Sequence, residues 1–303
     1  MMDSEITVLC VGGSGRYAGM VVPELAKRGV RTRAIVRNED EAKVARSNGA
    51  TEVVFADLRD PRSLDSATKG VDGVFHIGPV FASDEAQMGL NMVEAARRGG
   101  VRKFVFSSVI QPTNTDLANH ASKIPVENAL FASGMEYTLL HPANLFQNFA
   151  GAWKAIVQTG VYAEPNPVDR RLARVDYRDV AEVAAIALTG DRLAYGSFEL
   201  CSEGMLTRLE IGKLASDLLR KPVEVREIEF AGWARQAKLP YDARELAMLE
   251  KIHAHISEHG MPGNSLTLRA ILGRPARTVR QYVEELWRGT TAERTASGSR
   301  PGV

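Results

Sequence analysis

Six short runs of β-branched and aromatic residues punctuate the first 140 residues of the chain, at 6–11, 32–36, 52–56, 73–77, 103–107 and 136–141. Between them lie stretches with helical spacing of apolar residues, such as Val21, Val22, Leu25 and Ala26, or Met88, Met92, Val93 and Ala96. Strands that alternate with helices in this way build βαβ units, and these assemble into one sheet covered by helices on both faces. The expected class is α/β, a doubly wound parallel sheet.

Past residue 150 the rhythm changes. Thr207 and Glu210 have the spacing of a capping box that opens a helix over 209–219, and further helices are expected at 230–237, 242–259, 265–272 and 278–287. Strands are expected at 197–201 and 223–228. The resulting division is 1–150 for the sheet domain, 151–288 for a smaller, mostly helical part that covers a substrate, and 289–303 for a flexible tail. Single elements of the smaller part can return to the main sheet. No internal repeat is present.

A chain of 303 residues with 45% hydrophobic and 25% charged residues is ordinary globular material, which excludes disordered and disulfide-stapled classes. Thirty-eight Lys and Arg against 37 Asp and Glu give +1, so no nucleic-acid or anionic-membrane partner is expected. Two cysteines, Cys10 and Cys201, read as small core residues of a protein in a reducing compartment. The start of the chain lacks the pattern of a signal peptide, and the longest apolar stretch, 180–188, contains Glu182 and is too short to span a membrane. The expected location is cytoplasmic.

The chemical signal begins where the first strand ends, in Val11-Gly12-Gly13-Ser14-Gly15-Arg16-Tyr17-Ala18-Gly19. Gly12 permits a tight turn, Gly15 lets a pyrophosphate approach the backbone, and small Ala18 allows the next helix to pack closely with its N-terminus toward the phosphates. The loop follows a strand and opens a βαβ series, the context a Rossmann-type dinucleotide site requires. No Gly-Lys-Ser/Thr follows, so a Walker-type phosphate loop is excluded. At the end of the second strand an acidic residue would hold the ribose hydroxyls of NAD, whereas a basic one would accept a 2′-phosphate. This chain has Arg37 there, with Arg16 as a second positive charge, and NADP(H) is favoured over NAD(H) unless both are plain surface arginines.

Further motifs follow in order: Ala56-Asp57-Leu58, Phe106-Ser107-Ser108, Ala121-Ser122-Lys123 with Glu127, the run from His141 to Asn148, Val175-Asp176-Tyr177-Arg178-Asp179-Val180-Ala181, and Leu272-Gly273-Arg274-Pro275-Ala276-Arg277-Thr278. With the glycine loop and Arg37, this series resembles the NmrA-like branch of the atypical short-chain dehydrogenases/reductases, from residue 6 to about 288. The resemblance implies that Gly12, Gly13, Ser14, Gly15, Arg16, Tyr17, Ala18 and Arg37 hold the adenosine phosphates, with Asp57 and Leu58 by the adenine. It also implies that Ile77, Gly78 and Pro79 follow the cofactor's ribose, unless they are an ordinary strand-ending turn. Lys123 and the run Leu145, Phe146, Gln147 and Asn148 would flank the nicotinamide, and Pro142, Ala143 and Asn144 before them would also bind the cofactor.

The wider superfamily uses Tyr-x-x-x-Lys, with tyrosine as the general acid. Here Asn119 stands four residues before Lys123, and an amide cannot serve as that acid. Three roles stay open for Lys123: a bond to the nicotinamide ribose, acid/base work as in isoflavone-reductase-like relatives, or an i+4 pair with Glu127. His120 is a further catalytic candidate. His255-Ile256-Ser257-Glu258-His259 matches a zinc-protease pattern, but no third ligand is apparent and no metal is expected. Two functional classes remain. One is an NAD(P)H-dependent reductase acting on a small conjugated acceptor such as a quinone or azo compound. The other is a non-catalytic NADP sensor acting through a protein partner; a homo-oligomer is compatible with either.

Overall fold

The computed structural model describes residues 6–298. Among them the strands, in chain order, are β1 Thr7–Val11, β2 Arg31–Val36, β3 Glu52–Phe55, β4 Gly73–Ile77, β5 Lys103–Ser107, β6 Glu136–Pro142, β7 Asn144–Leu145, β8 Val161–Glu164, β9 Arg174–Val175, β10 Gly196–Leu200 and β11 Glu224–Glu227. The chain divides into two compact units. The first comprises residues up to Pro142, Tyr177–Leu200 and Ala270–Gly273; the second holds Ala143–Asp176, Cys201–Arg269 and the residues from Arg274 on.

The first unit is built on a seven-stranded sheet in the order β3-β2-β1-β4-β5-β6-β10, every pair parallel. This is the doubly wound, Rossmann-like arrangement expected from the alternation. β1, β4 and β5 are buried along almost their whole length, and strands covered on both faces read as near-continuous apolar runs. One core joins Leu9, Val74, Phe104, Phe106 and Leu139 to Leu64, Met92 and Leu130 of the helices. The edge strands are less covered, and Phe55 at the end of β3 is half exposed. The chain winds from β1 outward through β2 and β3, then returns to place β4 on the other side of β1. Ligands bind outside the carboxyl ends of the strands at such a reversal.

One element of the expected smaller part returns to the main sheet: β10 pairs along its whole length with β6, from Gly196 opposite Thr138 to Leu200 opposite Pro142. The helix Tyr177–Thr189 delivers it, its Val180, Ala181, Val183, Ala184 and Leu188 fully or nearly buried as the crossover of a parallel pair. The first division between the units accordingly falls at Pro142 instead of 150. The tail expected to be flexible from residue 289 continues the helix Val279–Gly298, and 299–303 lie outside the described residues.

The second unit is smaller and mostly helical. Its core gathers Phe146, Trp153, Ile156, Tyr162, Ile211, Ala215, Val279 and Val283, beside the parallel pairs β8–β11 and β7–β9. Thr207 accepts from the Glu210 amide while the Glu210 carboxylate accepts from the Thr207 amide, closing the capping box read from the sequence. Among the described residues no helix is long and apolar enough to cross a membrane.

Candidate functional site

The loop after β1 is a tight turn that favours glycine at two points. Gly12 has φ +75°, the left-handed region that favours glycine, and accepts at 2.7 Å from the Gly15 amide. A Cβ on Gly15 would stand 3.0 Å from the Gly12 carbonyl oxygen, so any side chain there would press on the turn. Asn48 completes the loop from outside, its Nδ2 donating to the Gly13 carbonyl at 3.0 Å. Ala18 is buried at the start of the helical segment that follows. The Arg16 guanidinium lies 5.6 Å from the Tyr17 ring centroid, and Tyr17 packs on Tyr177 at 5.0 Å. The Tyr177 hydroxyl donates to Ser107 Oγ at 3.0 Å at the end of β5.

At the end of β2, Arg37 is three-quarters exposed and paired. Its Nε and Nη2 donate to Glu41 Oε1 at 3.0 and 2.6 Å. Hydrogen bonding and charge from Glu41 raise the guanidinium's affinity for its proton, and Arg37 in turn holds the Glu41 carboxyl below its ordinary range. Beyond β3, Asp57 Oδ1 accepts from the Arg59 amide and the Leu58 carbonyl accepts from Asn91. Ile77 borders Gly12, since a Cβ on that glycine would meet Ile77 Cγ2 at 3.7 Å.

The ends of β4 and β5 enclose buried polar groups. Lys123 and Glu85 form a buried ion pair, and Ser122 Oγ donates to the other Glu85 oxygen at 2.9 Å. Gly78 makes room for that carboxylate: a Cβ there would stand 2.7 Å from Glu85 Oε1. The expected alternative of a Lys123–Glu127 pair is therefore wrong, because Glu127 accepts from Ser108 Oγ at 2.5 Å and lies 3.1 Å from His141 Nε2. Asn119 is buried and its Oδ1 has no hydrogen-bond partner. His120 turns its Nδ1 to the Gln111 carbonyl oxygen at 3.1 Å, on a loop where Gln111 has φ +51°. His76 on β4 is buried against Phe106, and burial together with the Lys123 charge pushes its pKa down to about 3. It stays a neutral imidazole.

Pro142 closes β6, while Ala143 to Asn148 are in the second unit, where Phe146 is core and the buried Gln147 donates to Asp176 Oδ1 at 2.9 Å. His255 and His259 sit one turn apart on the helix Ala243–His259, rings 4.9 Å apart. Among the described residues no three His, Cys, Asp or Glu side chains are grouped to hold a metal.

The profile of the NmrA-like family matches residues 2–282. The chain belongs to that family. It is 28% identical over 281 residues to an NAD(P)H azoreductase of Xenophilus azovorans, covering 91% of this chain and 96% of that one. Quinone oxidoreductase 2 of Escherichia coli is 25% identical over 288 residues, covering 92% and 98%. Among solved structures, the NADPH-dependent quinone oxidoreductase of E. coli superposes with a TM-score of 0.80 at 25% identity, covering 93% of this chain and all of the other. A Citrobacter triphenylmethane reductase complexed with NADP(H) shares the fold, with a TM-score of 0.82 at 22% identity and coverage of 92% and 99%.

Three residues of this NmrA-like chain that the sequence did not single out shape the region. Glu85 reads locally only as a first-turn acid of the helix Glu85–Arg98, and nothing in its spacing announces Lys123. Glu41 reads as one of three acids opening the helix Glu39–Ser47. Asn48 follows that helix with no visible link to the glycine loop. Only Glu41, four residues after Arg37, carried a signal: the i+4 spacing of an ion pair.

Proposed function

We propose that this NmrA-like protein is an NAD(P)H-dependent reductase that passes hydride to a conjugated small molecule, a quinone or an azo compound, with NADPH taken in preference to NADH. The turn of Gly12 to Gly15 carries the reading. It is a tight glycine turn that a Cβ at Gly15 would crowd, at the carboxyl end of β1 beside the reversal of strand order. When bound, the reduced dinucleotide supplies the hydride, and the protein supplies position and field. Residues 12–18 would receive the phosphates, Arg37 the 2′-phosphate, Asp57 and Leu58 the adenine, and Ile77, Gly78 and Pro79 the ribose. The azoreductase and quinone oxidoreductase names of relatives matched over nearly their full length support the choice of acceptor.

The buried polar groups support the same choice. Asn119 occupies the place from which a tyrosine would deliver a proton, and an amide is no general acid. Lys123 is neutralised by Glu85, which suits it to hold a ribose hydroxyl rather than to protonate product. An acceptor whose reduced anion is delocalised needs no such donor, because water protonates it in time. NADPH oxidation measured against quinones, azo dyes and enones tests the reading, with turnover of at least one class expected. Gly15→Val should abolish NADPH binding. Tight NADPH binding with no turnover of any acceptor would favour a sensor instead.

A further inference from the structure

The end of β2 carries both of the groups that ordinarily discriminate between the two dinucleotides. An acidic side chain there suits the ribose hydroxyls of NADH, and an arginine suits the 2′-phosphate of NADPH. In this chain the two are bonded to each other. Arg37 spends its Nε and Nη2 on Glu41 Oε1, and Glu41 Oε2 accepts from the Arg37 backbone N–H at 2.8 Å. That side of the guanidinium is one of the two forks that could grip a pair of phosphate oxygens. The backbone that carries this carboxylate is fixed as well: the Glu41 N–H donates to Asn38 Oδ1 at 2.9 Å, the N-cap of the helix Glu39–Ser47.

The surroundings sharpen the conflict. Glu39, Asp40 and Glu41 together open that helix, a negative cluster beside the arginine that would receive a phosphate dianion. Arg59, whose charge also reaches Arg37, is already committed to Asp84 by bonds of 2.6 and 2.9 Å. The Arg37 side chain is 74% exposed, so its pair with Glu41 contributes little to stability and an incoming phosphate can displace it. The carboxylate would remain where it is, held by the Arg37 amide.

Resting on the reading that the adenosine ribose is received at this strand end, we propose that Glu41 is a cofactor-specificity residue. It competes with the 2′-phosphate for Arg37 and offers an acceptor to the ribose hydroxyls of NADH, so that the protein accepts both dinucleotides and its preference for NADPH is held small. Glu41 acts on the phosphate through Arg37 and on the hydroxyls directly.

Calorimetric titration of the full chain with NADPH, NADH, 2′,5′-ADP and 5′-ADP tests this. The unaltered protein should favour NADPH by less than about tenfold, and Glu41→Gln should widen that ratio by about two- to fivefold, the scale of one exposed ion pair. Glutamine keeps an oxygen for the Arg37 amide, so the turn is preserved. The change should appear as tighter NADPH and 2′,5′-ADP, with NADH and 5′-ADP slightly weakened by loss of the charged acceptor. Arg37→Ala is the complementary variant and should turn the preference toward NADH, which keeps the proposal testable even if Glu41→Gln fails to fold. An unchanged ratio in folded Glu41→Gln, or retention of the NADPH preference in Arg37→Ala, would overturn the role of Glu41 while leaving the dinucleotide site intact. Binding of neither dinucleotide to the unaltered chain would overturn the site itself.

Discussion

Lys123 shares a buried pair with Glu85, so substituting it reaches further than one lost contact. Lys123→Met leaves a buried carboxylate without its charge partner, a change that costs roughly 3–5 kcal/mol when one member of such a pair is removed. Lys123→Met combined with Glu85→Gln should cost clearly less than the sum of the two single changes, as read by urea denaturation. In turnover, Lys123→Met should weaken NADPH binding, with kcat on a quinone falling less than the roughly 10²–10⁴-fold usual for a general acid. A larger fall at unchanged NADPH affinity would make Lys123 the proton donor. Residue identities at the glycine loop and at Arg37 were legible because their chemistry is fixed by local backbone and strand position. The partner of Lys123 was not, because Glu85 lies 38 residues away and meets it only once two crossovers are formed. Local spacing pointed to Glu127, which the fold gives to Ser108 and His141.

At the scale of elements, the first six strands match the apolar runs to within one residue, since strands buried on both faces announce themselves by composition. Strand β10 falls within one residue of its expected place, while its pairing in the main sheet stays open in the sequence, because a half-buried edge strand looks alike wherever it pairs. The turn from β4 into the helix Glu85–Arg98 was open to two readings, a ribose contact or a plain strand end. The structure adds a third reason for its glycine: space for Glu85. Gly78→Ala should therefore destabilise the protein by about 1–3 kcal/mol, the usual cost of overpacking a filled site. Gly151→Ala is the control. It lies inside the helix Phe149–Thr159 with nothing within 4 Å of an added Cβ, and should stabilise by up to about 1 kcal/mol. Thermal unfolding of the two variants should move in opposite directions.

For the molecule as a whole, buried neutral histidines contribute to how it meets acid. His76 titrates at about 3 and His253 at about 4, burial being the main cause in each. Above the ordinary value of about 6.5 the folded and unfolded chains both carry these imidazoles neutral. Below it the unfolded chain takes up protons that the folded chain refuses, so stability falls as pH drops from 6.5 toward 4. His76→Leu should remove that share of the loss, flattening the fall between pH 6.5 and 5 by about 2 kcal/mol relative to the unaltered chain. An unchanged slope in the variant would mean that His76 is protonated in the folded state. The same set of groups bears on chemistry. His76 is neutral and buried, Asn119 is an amide, and Lys123 is bound to Glu85, so no positioned acid stands ready among them to protonate an alkoxide. A simple ketone needs that proton as hydride arrives, whereas a quinone spreads the new charge over its ring. Unactivated ketones should accordingly be reduced at least about 10²-fold more slowly than a quinone at equal NADPH saturation, the lower end of what a general acid supplies. Comparable kcat/KM for the two acceptors would defeat the argument from Asn119 and return the proton to a side chain of this site.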